Sequence, residues 1–216
     1  MERYLEKSTI MAKYKGEEKS GKVGKMIYSS WHGRPYMRRM PESVANPQTE
    51  AQQAHRNAFA AISRLSSDMK EAHLVGFHKQ ALRDHLNTHS VFKKFNKGCF
   101  IDDSICYAKV VVSYGSVPMA HITSVEVDER RMMRLTFDGN TSEQTENDEF
   151  CLFVYCPDLR DCRPALPVLR SAGIVTAQLP EEWTGHDLHL YAFLRNKKGI
   201  TSHTMYTKIT DAADIE

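Results

Sequence analysis

The sequence predicts an α+β protein: an N-terminal β-hairpin plus helices over residues 1–100, then an antiparallel β-sandwich over residues 101–216. Three observations carry this expectation. Charge is divided, with 18 Lys/Arg against 9 Asp/Glu in residues 1–100 and 11 against 18 in residues 101–216. Such asymmetry marks separately built regions and makes the basic one a contact surface for something acidic. Between Thr49 and Phe95, apolar side chains recur at three- and four-residue steps, the period of a helix packed on one face. Past Gly98 the chain becomes short β-branched or aromatic runs separated by Gly, Pro, Asn and Asp, the punctuation of a sandwich.

The hairpin is read from Val23, Met26, Ile27, Tyr28 and Trp31 before His32-Gly33, and Tyr36, Met37 and Met40 after it. Pro35 cannot donate to a ladder, so it belongs on an edge or at a strand start. Gly16, Gly21 and Gly24 predict tight backbone passages just ahead of it. Pro41 and Pro47 bracket a linker, and Thr49 with Gln52 has the spacing of a capping box. Glu50 in the first turn suits the positive end of a helix dipole. Ala51, Ala54, Ala58, Ile62 and Leu65 then line one face of a helix ending near Ser66-Ser67. A second helical stretch runs from Met69 to about Phe95, with a break expected at Gly76 and an end at Asn96-Lys97-Gly98.

Seven strands are expected, at Ala108–Val112, Ile122–Val127, Met132–Phe137, Phe150–Cys156, Ile174–Leu179, Leu188–Leu194 and His203–Lys208. In the sixth, Leu188, Leu190, Ala192 and Leu194 alternate with His189, Tyr191 and Phe193, so both faces suit a central strand. Residues 143–149 are acidic and read as a solvated loop.

Hydrophobic content of 41% and charged content of 26% are those of a globular chain. No run approaches the roughly 18 apolar residues of a membrane helix. The N-terminus has no apolar core of a secretory signal, which predicts a cytoplasmic protein, or one exported within an assembly without a signal. Five cysteines without CxxC spacing predict reduced, structural thiols.

Three constellations could carry chemistry or binding. His85 and His89 are four apart on an expected helix, with His78 seven residues before His85. The glutamate of an HExxH site is missing and no further ligand is evident, so no metal and no cofactor is expected. Glu181, Glu182 and Trp183 lie between Pro180 and Gly185; neighbouring carboxylates on an extended chain diverge, and the tryptophan reads as a cover for the core. The basic segment from Lys13 to Arg39 interleaves cations with Tyr14, Tyr28, Trp31 and Tyr36. Lys22, Lys25, Trp31, Arg34, Arg38 and Arg39 are therefore the candidate contacts to a partner or to nucleic acid. Two plainer readings stand beside this: the aromatics pack the hairpin onto the helices, or the basic half docks on the acidic half.

With these residues assembled, the chain resembles a Bacteroidota family known as a domain of unknown function. The matching pieces are Ser20-Gly21-Lys22-Val23-Gly24, Trp31-His32-Gly33, Arg38 to Pro41, Asn46-Pro47 through Thr49, Gln52, and Arg56 to Phe59. Further on, Ser113 and Gly115-Ser116-Val117-Pro118 match an S-x-G-x-L-P motif with Val at the Leu position. Leu179-Pro180, Trp183, Gly185 and Leu188 to Tyr191 match the closing strands. The resemblance implies an immunoglobulin- or fibronectin-like sandwich behind the N-terminal region, and brings no catalytic residues with it. The expected function is a non-enzymatic structural or protein-interaction role, with a phage-derived or mobile-element assembly component as a fitting analogy. Nucleic-acid binding through the basic segment is the alternative.

Overall fold

The computed structural model describes residues 11–15, 18–31, 34–43, 48–139, 142 and 145–209. Contacts divide the chain between Gln48 and Thr49 into two units. The expected boundary at residue 100 falls inside the second unit, because the helices share a core with the later strands. Ile62, Leu65, Met69, Ala72 and Phe77 are buried in one cluster with Cys151, Phe153, Tyr155, Tyr191 and Phe193.

The first unit is an antiparallel sheet in chain order: β1 (Met11–Lys15), β2 (Glu18–Val23), β3 (Met26–Trp31) and β4 (Arg34–Arg39). The expected hairpin is its β3–β4 half, and the expected turn residues His32 and Gly33 lie outside the described residues. Gly24 forms the β2–β3 turn with a left-handed φ of +57°, which a side chain adopts only at a cost. Gly16 and Pro47 also lie outside the described residues.

The second unit begins at the expected cap, where the Gln52 amide donates to Thr49 Oγ1 at 3.4 Å. Helix α1 (Glu50–Asp68) follows. The stretch expected to break at Gly76 is three helices: α2 (Lys70–Gly76) ends at that glycine, and a further break separates α3 (His78–Asp84) from α4 (Thr88–Asn96). Two causes are local. Phe77 turns inward, fully buried, with φ −107° and ψ 9°, and His85 takes a left-handed φ of 53°, after which Asn87 caps α4 by accepting from the Ser90 amide at 2.7 Å. Gly76 is also required by a close approach: a Cβ there would stand 2.1 Å from the Val112 carbonyl oxygen.

The strands are β5 (Phe100–Ile101), β6 (Ser104–Ile105), β7 (His121–Val127), β8 (Met132–Asp138), β9 (Glu149–Cys156), β10 (Asp161–Pro164), β11 (Val168–Leu169), β12 (Ile174–Gln178), β13 (Leu188–Arg195) and β14 (Met205–Ile209). All named pairings are antiparallel. One sheet has the order β10-β9-β13-β14, with β11 also on β9; a second has β12-β8-β7; β5 and β6 pair by themselves. Six of the seven expected strands are present. The exception is Ala108–Val112: Tyr107–Lys109 is a 3-10 turn, and the Val112 amide donates to Thr204 Oγ1 at 2.9 Å rather than to a ladder.

The α+β class is thus observed, and the packing has three layers. Phe150, Leu152, Val154 and Cys156 of β9, with Leu188, Leu190, Ala192 and Leu194 of β13, meet Met133, Leu135, Phe137 and Val175 of the smaller sheet in one core. The intervening residues, among them Phe153 and Phe193, face the helices. The two-period alternation of a strand therefore feeds two cores at once. Each fully buried side chain of this size stabilises by about 1.5–3 kcal/mol.

Polar groups knit the periphery. Arg170, 1% exposed, donates to the carbonyls of Gly139, Pro118 and Met119, and Asp148 lies 3.7 Å away. Ser113 and Gly115 serve a crossing of loops: the Ser113 amide donates to Thr204 Oγ1 at 2.9 Å, and a Cβ on Gly115 would stand 2.1 Å from the Thr201 carbonyl oxygen. All five cysteines are free thiols; burial pushes Cys99 and Cys151 up to about 11 and Cys162 up to about 12. Among the described residues, no helix is long and apolar enough to cross a membrane.

Candidate functional site

Strand register sorts the first unit's side chains onto two faces. Residues directly opposite each other across an antiparallel pair point to the same side. Lys22 pairs with Ile27, which pairs with Arg38, and Ser29 pairs with Tyr36. One face therefore carries Lys22, Arg34, Tyr36 and Arg38 around Ile27 and Ser29. Val23 pairs with Met26, Met26 with Arg39, and Tyr28 with Met37. The other face is Val23, Met26, Tyr28, Pro35 and Met37, with Arg39 beside them.

Lys22 and Arg38 stand two strand spacings apart, about 10 Å, and Arg34 and Arg38 four residues apart along β4, about 13 Å. No residue from Ser20 to Ser30 or from Arg34 to Ser43 is buried. Every residue of β4 is exposed, with Met37 at 58% and Tyr36 at 46%. A sheet that is hydrophobic on one face ordinarily buries that face against another element.

The six expected contacts divide accordingly. Lys22, Arg34 and Arg38 come together on one face. Arg39 lies on the other, 3.0 Å from Glu42 in an exposed ion pair. Lys25 is in the β2–β3 turn, where its carbonyl accepts from the Met40 amide at 2.7 Å. Trp31 ends β3 in register with Arg34. Sequence reasoning took the aromatics and cations as one mixed ribbon and did not separate the apolar face. The signal was there in the alternation Arg34-Pro35-Tyr36-Met37-Arg38, which a period of two splits into cationic and apolar sets.

The histidines do not share a face. His78 opens α3, His85 ends it, and His89 lies in α4. Among the described residues no group of three His, Cys, Asp or Glu is placed to hold a metal. A different cluster forms instead. His73 Nε2 donates to the Ser66 carbonyl at 2.9 Å, and His73 Nδ1 is 3.0 Å from Thr88 Oγ1. Ser66 Oγ lies 2.6 Å from His89 Nδ1 and 3.3 Å from His73 Nε2. The serine-histidine proximity is that of an activated nucleophile, but Ser66 is fully buried in α1, away from solvent. The cluster pins α1 to α2 and α4. Burial holds both imidazoles below their usual range, with the positive Lys93 adding to this at His89.

Glu181, Glu182 and Trp183 form a 3-10 turn. Trp183 is 2% exposed in the first core, Glu182 pairs with Arg163 at 3.0 Å, and the Arg163 guanidinium lies 5.6 Å from the indole centroid. The tryptophan closes the core, as the sequence reading has it.

A model of the family of unknown function DUF6266 matches residues 18–206. The chain belongs to this family. No curated protein matches the sequence.

Proposed function

We propose that this member of the DUF6266 family is a non-enzymatic interaction protein, in which the second unit is a rigid scaffold and the first unit's sheet engages an acidic protein surface. The observation that carries the reading is the first unit's sheet: it has an apolar face and a cationic face, and none of its residues from Ser20 to Ser30 or in β4 is buried. Exposed apolar patches next to charge are characteristic of association surfaces. Several groups that catalysis could use are committed to the fold in the second unit: the Ser66–His73–His89 cluster is internal, Glu182 is in a surface ion pair, and burial keeps Cys99, Cys151 and Cys162 protonated. An immunoglobulin-like reading of the sandwich, a Bacteroidota host and a role in phage or mobile-element assembly belong to this proposal through the motif resemblance and fold analogy.

The test is retrieval of partners from the native host by full-length protein and by a Val23→Ser/Met37→Ser variant, followed by titration of the retrieved protein. The proposal expects the wild type to bind one acidic protein and the variant to lose it while melting at the same temperature. Equal binding by both removes the proposal, as does turnover of a substrate by the purified monomer.

A second reading rests on Tyr36 lying among Lys22, Arg34 and Arg38, an arrangement that suits stacking on a base beside phosphate contacts. It requires affinity for single-stranded nucleic acid that falls steeply with salt and is lost in an Arg34→Ala/Arg38→Ala variant. Salt-independent or undetectable binding to both DNA and RNA disposes of it.

A further inference from the structure

A pocket of about 480 Å³ opens in the second unit between α3 and the loops at residues 114–116 and 200–203. Its size is that of a small-molecule site. Lys79 and Arg83 line it from the same side of α3, four residues apart. Tyr114 and His203 line it from the loops, with ring centroids 4.5 Å apart and planes at 87°. Tyr114 is set from behind by Phe95, at 4.9 Å between centroids. Ser116 adds a hydroxyl, and the lining contains no carboxylate. The loops are held close by Gly115, which leaves no room for a Cβ beside the Thr201 carbonyl.

The one acid of α3, Asp84, is accounted for. Asp84 accepts from Gln80 Nε2 at 3.0 and 2.9 Å and from Lys94 Nζ at 3.0 Å, and these two partners hold its carboxyl below the usual range. Arg83 Nε is 3.6 Å from the same carboxylate, so two cations, Lys94 and Arg83, share one acid. Gln80, 8% exposed, accepts from Arg83 Nη2 at 2.6 Å and so orients the guanidinium, most of whose N–H groups are left over.

We infer that this pocket binds a phosphorylated ligand with a planar ring, of the mononucleotide class, with Lys79 and Arg83 taking the phosphate and Tyr114 and His203 the ring. A fork of guanidinium donors beside an ammonium matches a phosphate dianion. A half-exposed tyrosine fixed from behind is a low-entropy stacking platform.

The experiment is titration of the full chain with adenosine monophosphate, inorganic phosphate and adenosine, followed by calorimetry or amide chemical shifts. The inference expects the monophosphate to bind more tightly than either fragment. Lys79→Ala and Arg83→Ala should each weaken it about tenfold, the loss of one charge-assisted hydrogen bond, and Tyr114→Leu should bring it down to the affinity of inorganic phosphate. Lys79 and Arg83 are exposed, so these variants keep the fold, which unchanged melting verifies. No binding at millimolar monophosphate, adenosine binding as tightly as its monophosphate, or equal affinity in wild type and both cation variants overturns the inference.

Discussion

Strand β13 and strand β4 have opposite fates in the same chain. All of β13 except Arg195 is buried, whereas all six residues of β4 are exposed. Both alternate in character along their length. In β13 each set has a core to enter, Leu188, Leu190, Ala192 and Leu194 on one side and Tyr191 and Phe193 on the other. In β4 the sets are Pro35 with Met37 and Arg34 with Tyr36 and Arg38, and neither is buried. The difference teaches that alternation specifies a strand's two faces but not what covers them. Where the chain itself supplies the cover, side chains contribute stability. Where none of the described residues covers them, as in β4, the same side chains are those the proposal assigns to recognition.

The largest effect that could break this comparison is in the second unit. Phe193→Ala removes a fully buried ring stacked 5.9 Å from Phe153 and should cost about 3–5 kcal/mol, read as the free energy of urea unfolding. Next comes Gly76→Ala. The Val112 carbonyl is backbone and cannot swing aside, so the added methyl should cost about 1–3 kcal/mol by the same measurement; an unchanged midpoint would show that the helical layer is not fixed against the loop.

A pH effect follows from the histidines. Burial is the first cause lowering His73, His89 and His189 from the ordinary 6.5. Below that value the unfolded chain binds more protons than the folded one, so stability falls as pH drops from about 6.5 through the lower folded values. The urea midpoint should be lower at pH 5 than at pH 7. His73→Gln should flatten this dependence even if it lowers the midpoint at both. The smallest effect belongs to β4: Met37→Ser should change stability by no more than about 0.5 kcal/mol, while abolishing partner capture.

Local signals made much of this legible in advance. The Thr49 cap, the buried Ile62 and Leu65 of the α1 stripe, the alternation of β13 and the loop that seats Trp183 are each written within a few residues, whereas Ala51 and Ala54 of that stripe are exposed. Long-range decisions were not. Arg170 gives no sign of being a buried clamp, because its carbonyl partners lie 31, 52 and 51 residues away in sequence. Strand β10 is short, polar and ends at Pro164, and β11 is two residues long just after Pro167, so they carry little pattern of their own. The helices look like companions of the hairpin only because they precede the sandwich; their buried stripe is complementary to Phe153 and Phe193, far down the chain. At the candidate site the cations were readable, but their sorting depends on register, which Gly24 and the turn around it set. One position of slip would exchange the two faces.

Hydrogen exchange of the isolated full-length protein, resolved strand by strand, tests the central claim most directly. The account predicts that amides of β9 and β13 exchange only through global unfolding, while those of β3 and β4 exchange orders of magnitude faster until a partner is added. Protection of β3 and β4 equal to that of β13 in the protein alone would mean that the first sheet already has its cover, and would contradict a surface kept for recognition.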